Sequence, residues 1–455
     1  MADEARVRAS LFLLVVGLSF TELSSAARWS LEKGFGASAS HSDAVGASGD
    51  RTSGESVLAL SPFVSLEGAG LRSNLLLSGE IELQRFVAED RVEVDPVIFL
   101  TSRTTLVESF ADIDASARVS RRPVQADPLV GEDLTRFEET EETYEISVSP
   151  RIIDTFGSRS DYDARYRFAT VRGSGDDLVG SDVHAVSLEV SSLFGDSAIS
   201  ISGDYELASF ESDGETRAGS IGLGTSYGFG PSLLTAFEAG YDRIEAGDTG
   251  EVIDGEFWDA SMRWRPSKRL FVKVGYGNRP YGRKPTASVI LSGRRSTIEF
   301  SWSRNLAFAI GTSSDTLSSP PAREPDGIAD ANGVDAEDTT TGGTIEDRPA
   351  GEPGNDGSLA PLGRDAGQVD EVVELIYSLS GRRSTLSTSL AWARRESLGD
   401  TESAASGLAY GLGLRRVLSR RIEAQADWTA VENESSGERA STRENRFRLS
   451  IKVTL

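Results

Sequence analysis

The chain ends in a segment that alternates in polarity without a break. Phe447, Leu449, Ile451, Val453 and Leu455 stand against Arg446, Arg448, Ser450, Lys452 and Thr454. A period of two puts one set of side chains on each face of a sheet, and a helix cannot use it. The same rhythm runs through Tyr144, Ile146 and Val148 against Glu145, Ser147 and Ser149. It returns in Tyr162, Ala164, Tyr166 and Phe168 against Asp161, Asp163, Arg165 and Arg167. No long stretch of helical period competes with it. The pattern predicts about 20 strands, with 18 as the rival count. Among them are strands over 97–107, 286–292, 296–311 and 405–416.

The connections sort by length. Short turns fall at Glu67–Gly70, Gly157–Arg159, Gly228–Pro231, Pro266–Lys268, Gly293–Arg295 and Gly381–Arg383. Between them lie longer links at 41–55, 88–96, 122–141, 173–182, 246–254, 312–369 and 397–404. Short turns at one end and long loops at the other are the pattern of an outer-membrane barrel. The polar set mixes Arg, Asp, Glu, Ser and Gly, which suits water. The apolar set is rich in Leu, Ile, Val, Tyr and Trp, which suits lipid. Trp29, Tyr227, Phe229, Trp264, Tyr276 and Phe308 lie near strand ends and fit interfacial girdles. The fold class expected is all-β: a single antiparallel transmembrane outer-membrane barrel, with an even strand number. A large soluble β-sandwich or solenoid is the alternative.

The N-terminus supports that location. Arg6 and Arg8 precede the apolar run Leu11 to Phe20, and Ser24, Ser25, Ala26 and Ala27 follow. This is the layout of a secretory signal peptide over 1–27, which leaves 28–455 as the barrel. The expected location is the outer membrane of a Gram-negative bacterium, with both termini periplasmic.

Composition excludes several classes. The 455 residues include no cysteine, which removes disulfides, thiolate metal sites and cysteine nucleophiles. His41 and His184 are the only histidines, too few for a multi-histidine metal site. The net charge of −24 argues against a nucleic-acid binder, which needs a basic face. No metal or cofactor is expected. The expected partners are outer-membrane lipid and lipopolysaccharide, the barrel-assembly machinery, and exopolysaccharide export components.

A set of ordered motifs carries a resemblance. Trp29-Ser-Leu-Glu32 comes first, then Leu106 to Ser120, Tyr144 to Pro150 and Arg165-Tyr-Arg167. The most distinctive part is Trp258 through Trp264-Arg-Pro-Ser267, Val274-Gly-Tyr-Gly-Asn-Arg279, Tyr281-Gly282 and Phe300-Ser-Trp-Ser-Arg304. Taken in order across about 29–310, these resemble the PEP-CTERM system-associated outer-membrane protein family. The C-terminal third is similar mainly in strand rhythm. The resemblance implies a β-barrel linked to exosortase sorting and exopolysaccharide production. It implies no catalytic residue.

Two segments stand apart. Ser292-Gly-Arg-Arg-Ser-Thr297 recurs as Ser380-Gly-Arg-Arg-Ser-Thr385. It reads as a repeated hairpin turn whose arginines face phosphate or anionic headgroups, ahead of a docking motif at the rim. The 312–369 segment carries nine net negative charges, with 12 carboxylates against Arg323, Arg348 and Arg364. With its prolines and glycines it reads as an acidic, loosely ordered external loop. Asp326 to Glu337 resembles a calcium loop only loosely, without the EF-hand spacing.

The chain is not expected to be an enzyme. His41 has Ser40, Ser42 and Asp43 beside it, and His184 follows Asp182, but neither context is a nucleophile elbow. A hydrolase on the external loops is the remaining enzymatic alternative, and a general diffusion porin or binding barrel is the non-enzymatic one. Inward positions are Arg165, Arg167, Arg263, Arg265, Lys273, Arg446 and Arg448, with Glu80, Glu82, Asp204, Glu206, Glu238, Asp242 and Glu423. Such charges tune pore selectivity, or pair across strands and partly fill the lumen.

Overall fold

The computed structural model describes residues 28–43, 54–88, 90–123, 140–157, 159–174, 180–210, 214–245, 252–307, 368–397, 400–435 and 442–455. The expected signal segment, nearly all of the 312–369 segment with its calcium-like stretch, and Phe308 lie outside them. Twenty strands make up almost all of the described chain. The first ten are β1 (Arg28–Ser42), β2 (Glu55–Ala69), β3 (Ser73–Phe86), β4 (Arg91–Val107), β5 (Ala111–Pro123), β6 (Thr140–Phe156), β7 (Ser160–Gly173), β8 (Ser181–Phe194), β9 (Ser197–Phe210) and β10 (Gly214–Gly228). The rest are β11 (Leu233–Glu245), β12 (Val252–Ser267), β13 (Leu270–Arg279), β14 (Gly282–Ser292), β15 (Ser296–Ala307), β16 (Gln368–Ser380), β17 (Ser384–Ser397), β18 (Asp400–Ser419), β19 (Ile422–Ser435) and β20 (Thr442–Thr454).

Each strand pairs antiparallel with the next, and β20 pairs back onto β1 from Gly34↔Thr454 to Ser42↔Arg446. The sheet is therefore closed and has no free edge. An even number of strands leaves both described ends of the chain at the same rim. Nine connections at that rim are two to four residues long, while those at the other rim run from two residues to sixty.

The register fixes the two faces. Asp242 lies opposite Ser220, Ser220 opposite Asp204, Asp204 opposite Ser187, Ser187 opposite Arg165 and Arg165 opposite Arg151. That row is polar throughout. Three residues along, and so on the opposite face, Leu223 lies opposite Ile201 and Ile201 opposite Val190. Leu223 and Ile201 are 59% and 55% exposed, and the same face presents Leu58, Leu60, Leu375, Leu412, Leu449 and Ile451 to the outside. A chain in water does not coat itself in aliphatic side chains, so this face is built for lipid. A tilted strand needs about 9–11 residues to cross a bilayer; β13 and β14 meet that with 10 and 11, and the other strands exceed it. No helix among the described residues is long and apolar enough to cross a membrane.

Aromatic residues mark both margins of the apolar face. Trp29, Tyr227, Phe229 and Trp264 are exposed near the rim that holds the termini. Tyr144, Tyr241, Trp258, Tyr276, Trp302 and Phe447 are exposed toward the other.

Three strands start four or more residues earlier than the alternation predicts. β4 begins at Arg91, β14 at Gly282 and β18 at Asp400, so the links at 88–96 and 397–404 shrink and 280–281 becomes a two-residue turn. Proline lacks an N–H and is tolerated where a ladder is missing. Pro96 pairs Ile81 of β3, while the β4–β5 pairing starts only at Ile98. Pro285 pairs Tyr276, while the β14–β15 pairing starts at Thr286. Pro62 and Pro150 likewise fall in gaps of the β2–β3 and β6–β7 ladders.

Candidate functional site: the inner wall

The inner face of β8–β11 is made of small or hydroxylated side chains, a few larger apolar ones, and five carboxylates. The carboxylates are Glu189, Asp204, Glu206, Glu238 and Asp242, and these strands place no lysine or arginine on that face. Cations reach them only from the flanks. Arg167 of β7 lies 3.7 Å from Glu206, and Arg279 of β13 bonds Asp242. Ser202 donates to Glu238 at 2.9 Å and Ser220 to Asp204 at 3.4 Å.

Arg279 forms the tightest part of the wall. Its guanidinium is 3% exposed. One terminal nitrogen sits 3.1 Å from both oxygens of Asp242, and the other 2.7 Å from Asp259. Its plane covers the ring of Phe257, 3.8 Å from the centroid. Lys284 approaches Asp259 at 3.9 Å. Two cations thus meet two carboxylates, which is what a charge cluster needs if it is to leave bulk water. Gly277 makes room for it, because a Cβ there would collide with Oδ1 of Asp259. A Cβ at Gly240 would meet Phe257 at 2.7 Å and run into the carbonyl of Ile221.

The cluster sits toward the rim opposite the termini, beneath an apolar seal. Ala218, Ile244, Leu306 and Val369 form one buried group, with Ile253 and Tyr281 packed on it. These residues come from β10, β11, β15 and β16, which are not all ladder neighbours. The β13–β14 hairpin is short, so the tips on either side of it meet beyond its turn. Tyr281 occupies that turn, and burial pushes its phenol's ionisation up.

Other inward positions also carry contacts. Arg165 donates to Ser149 at 2.6 Å and to Asp114 at 3.0 Å. Nε of Arg151 lies 3.0 Å from both oxygens of Asp163, and Ser191 donates to Asp161. Arg263 and Lys273 stand opposite each other across β12–β13, two like charges side by side. Arg265 lies 6.0 Å from the Phe271 ring. Lys452 lies over Phe63, which is opposite Glu80. Glu82 is opposite Asp95, Arg446 opposite Thr429, and Arg448 opposite Asp427. Glu423 pairs with Arg415. Charged side chains are not packed away everywhere: Arg103 keeps 57% and Arg165 46% of its side-chain exposure.

Glu189, Asp259, Arg279 and Lys284 were not among the inward positions the sequence pointed to. Lys284 fell in an expected loop, and Arg279 at an uncertain strand end. The available signal was parity within a strand: Arg279 matches Lys273 on β13, and Asp259 matches Arg263 on β12.

The histidines are on the outer parity. His184 bonds the Tyr166 hydroxyl at 2.8 Å and stacks near Phe168, while Asp182 is held by Arg172. His41 meets Ser56 at 2.9 Å, and Asp43 bonds Asn445 instead of His41. Among the described residues no group of three or more His, Asp or Glu is placed to hold a metal ion.

No family model and no curated protein sequence matches the chain. Solved structures do match in shape. The FrpB iron transporter from Neisseria meningitidis (F5-1 variant) is 9% identical over 93% of this chain and 82% of its own, with a TM-score of 0.45. OpdQ of Pseudomonas aeruginosa is 11% identical over 96% and 99%, at 0.38. A loop-deletion mutant of OmpT, an outer-membrane protein of Vibrio cholerae, is 9% identical over 95% and 100%, at 0.31. At these values the likeness says nothing of what this barrel carries.

Proposed function

We propose that the chain is an outer-membrane pore with both termini in the periplasm, and that it is not an enzyme. The observation that carries this is a closed sheet whose outer face is apolar and whose inner face keeps charged side chains half exposed, as at Arg103 and Arg165. Side chains of that kind line water, and a barrel of this strand number is wide enough to hold it. The acidic wall of β8–β11 favours cations over anions. The refolded chain in a planar bilayer should give stable steps with cation preference.

The service this pore performs is exopolysaccharide or sorted-protein export, a reading that rests on the motif resemblance over 29–310. Part of that motif set builds the inner wall. The most distinctive motif segments, Trp258–Ser267 and Val274–Gly282, supply Asp259, Arg279 and Tyr281, three of the residues at the buried cluster and its seal. Deleting the gene should reduce secreted polymer. Intact polymer with altered small-solute uptake would instead mean a diffusion porin.

A further inference from the structure

Four successive turns at the rim of the termini are cationic. β12–β13 turns through Lys268 and Arg269, β14–β15 through Arg294 and Arg295, β16–β17 through Arg382 and Arg383, and β18–β19 through Arg420 and Arg421. All eight side chains are exposed, and none has an ion-pair partner within the described residues. No carboxylate lies in these turns. The other five turns of the rim hold Arg72 and Arg159 against Glu108 and Asp196. A chain of net charge −24 therefore concentrates unpaired positive charge on one arc.

The turns are built in two matched pairs. Gly293 N–H donates to the Ser296 carbonyl at 2.6 Å, and Gly381 N–H to that of Ser384 at 2.6 Å. Ser267 accepts from Arg269 N–H at 3.2 Å, and Ser419 from Arg421 N–H at 3.2 Å. The arginines are thus presented by repeated local geometry. Neighbouring turns along the arc stand about 10 Å apart, two interstrand spacings.

We propose that this arc binds the phosphate headgroups of anionic phospholipid in the leaflet facing the termini. The inference rests on the reading that the barrel spans a bilayer. The arc continues the lipid-facing surface: Trp264, Leu291, Leu379, Leu386, Leu414, Leu418 and Ile422 are exposed on the outer face next to it. Turns of two or three residues hold the cations at the level where that apolar face ends, which is where headgroups lie. A soluble polyanion would be met by cations projected further into water.

The test uses the full mature chain and a variant with all eight residues changed to Gln, each refolded into phosphatidylcholine vesicles with and without phosphatidylglycerol. Association of spin-labelled phosphatidylglycerol and phosphatidylcholine with the protein is compared, and heat-modifiable gel mobility reports barrel insertion. A several-fold preference for phosphatidylglycerol, weakened by salt and lost in the variant, is expected. A second variant with only Arg294, Arg295, Arg382 and Arg383 changed to Gln should lose part of it and keeps the test open if the first does not fold. Inserted protein with equal association of both lipids overturns the inference while leaving the pore standing. Equal lipid association with tight binding of soluble polygalacturonate overturns it in favour of a polymer-docking rim. Failure of the unaltered chain to insert overturns the membrane reading and the inference with it.

Discussion

Arg279 lies 3.8 Å from the centroid of the Phe257 ring and bonds both oxygens of Asp242 at 3.1 Å. The contact ties the end of β13 to β11 and β12 at once. Removing the cation leaves the buried Asp242 uncompensated, and the partly buried Asp259 with Lys284 alone at 3.9 Å. Arg279→Ala should destabilise the folded barrel by about 3–5 kcal/mol, the usual cost of breaking a buried pair. Guanidinium unfolding in detergent micelles measures it. Asp242→Asn should cost much less in an Arg279→Met background than alone, because the uncompensated charge is already gone.

The two faces predict opposite tolerances. Leu223→Arg places a charge on the lipid side and should cost about 2–4 kcal/mol if it lies near the bilayer midplane. Ser187→Arg, on the inner face opposite Asp204 and only half buried, should cost less stability but lower conductance. Matched unfolding and conductance series separate the two effects. Equal stability costs would contradict the assignment of faces.

Selectivity should follow the acidic wall. Replacing Glu189, Asp204 and Glu238 with Gln, Asn and Gln removes three carboxylates from strands that carry no inward cation. The reversal potential in a salt gradient should move toward zero, with channel size unchanged. Raising the ionic strength should mimic part of the shift in the unaltered protein, since exposed charges are screened.

Close approach at Gly240, set against the room at Gly36, makes a further prediction. Gly240→Val would drive a side chain into Phe257 and the Ile221 carbonyl, and the backbone there cannot yield cheaply. Folding yield should fall sharply, read as loss of the heat-modifiable band. Gly36→Ala, whose Cβ would have 3.7 Å of room, should fold normally.

The strand pattern was legible because period two is a local property. Phe447 to Leu455 announces its own faces, and the ladder to β1 and β19 respects them. Gaps in a ladder are not legible in the same way. Pro96 and Pro285 are breakers in isolation, and only the missing neighbour ladder makes them acceptable. The Arg279 cluster was harder still. Asp242, Phe257, Asp259 and Lys284 come from three strands, and nothing local says that Arg279 meets them. Their convergence depends on the register of three hairpins and on a short β13–β14 turn. The acidic character of the wall was half legible: Asp204, Glu206, Glu238 and Asp242 show in the alternation, whereas the absence of inward cations from β8–β11 needs every register at once.

The most direct test of a water-filled, cation-preferring lumen is the reversal potential of single channels of the refolded mature chain under a potassium chloride gradient. The account predicts stable steps and a potential of the sign set by cation flow. Verified insertion without steps, or a potential of anion sign, would contradict it.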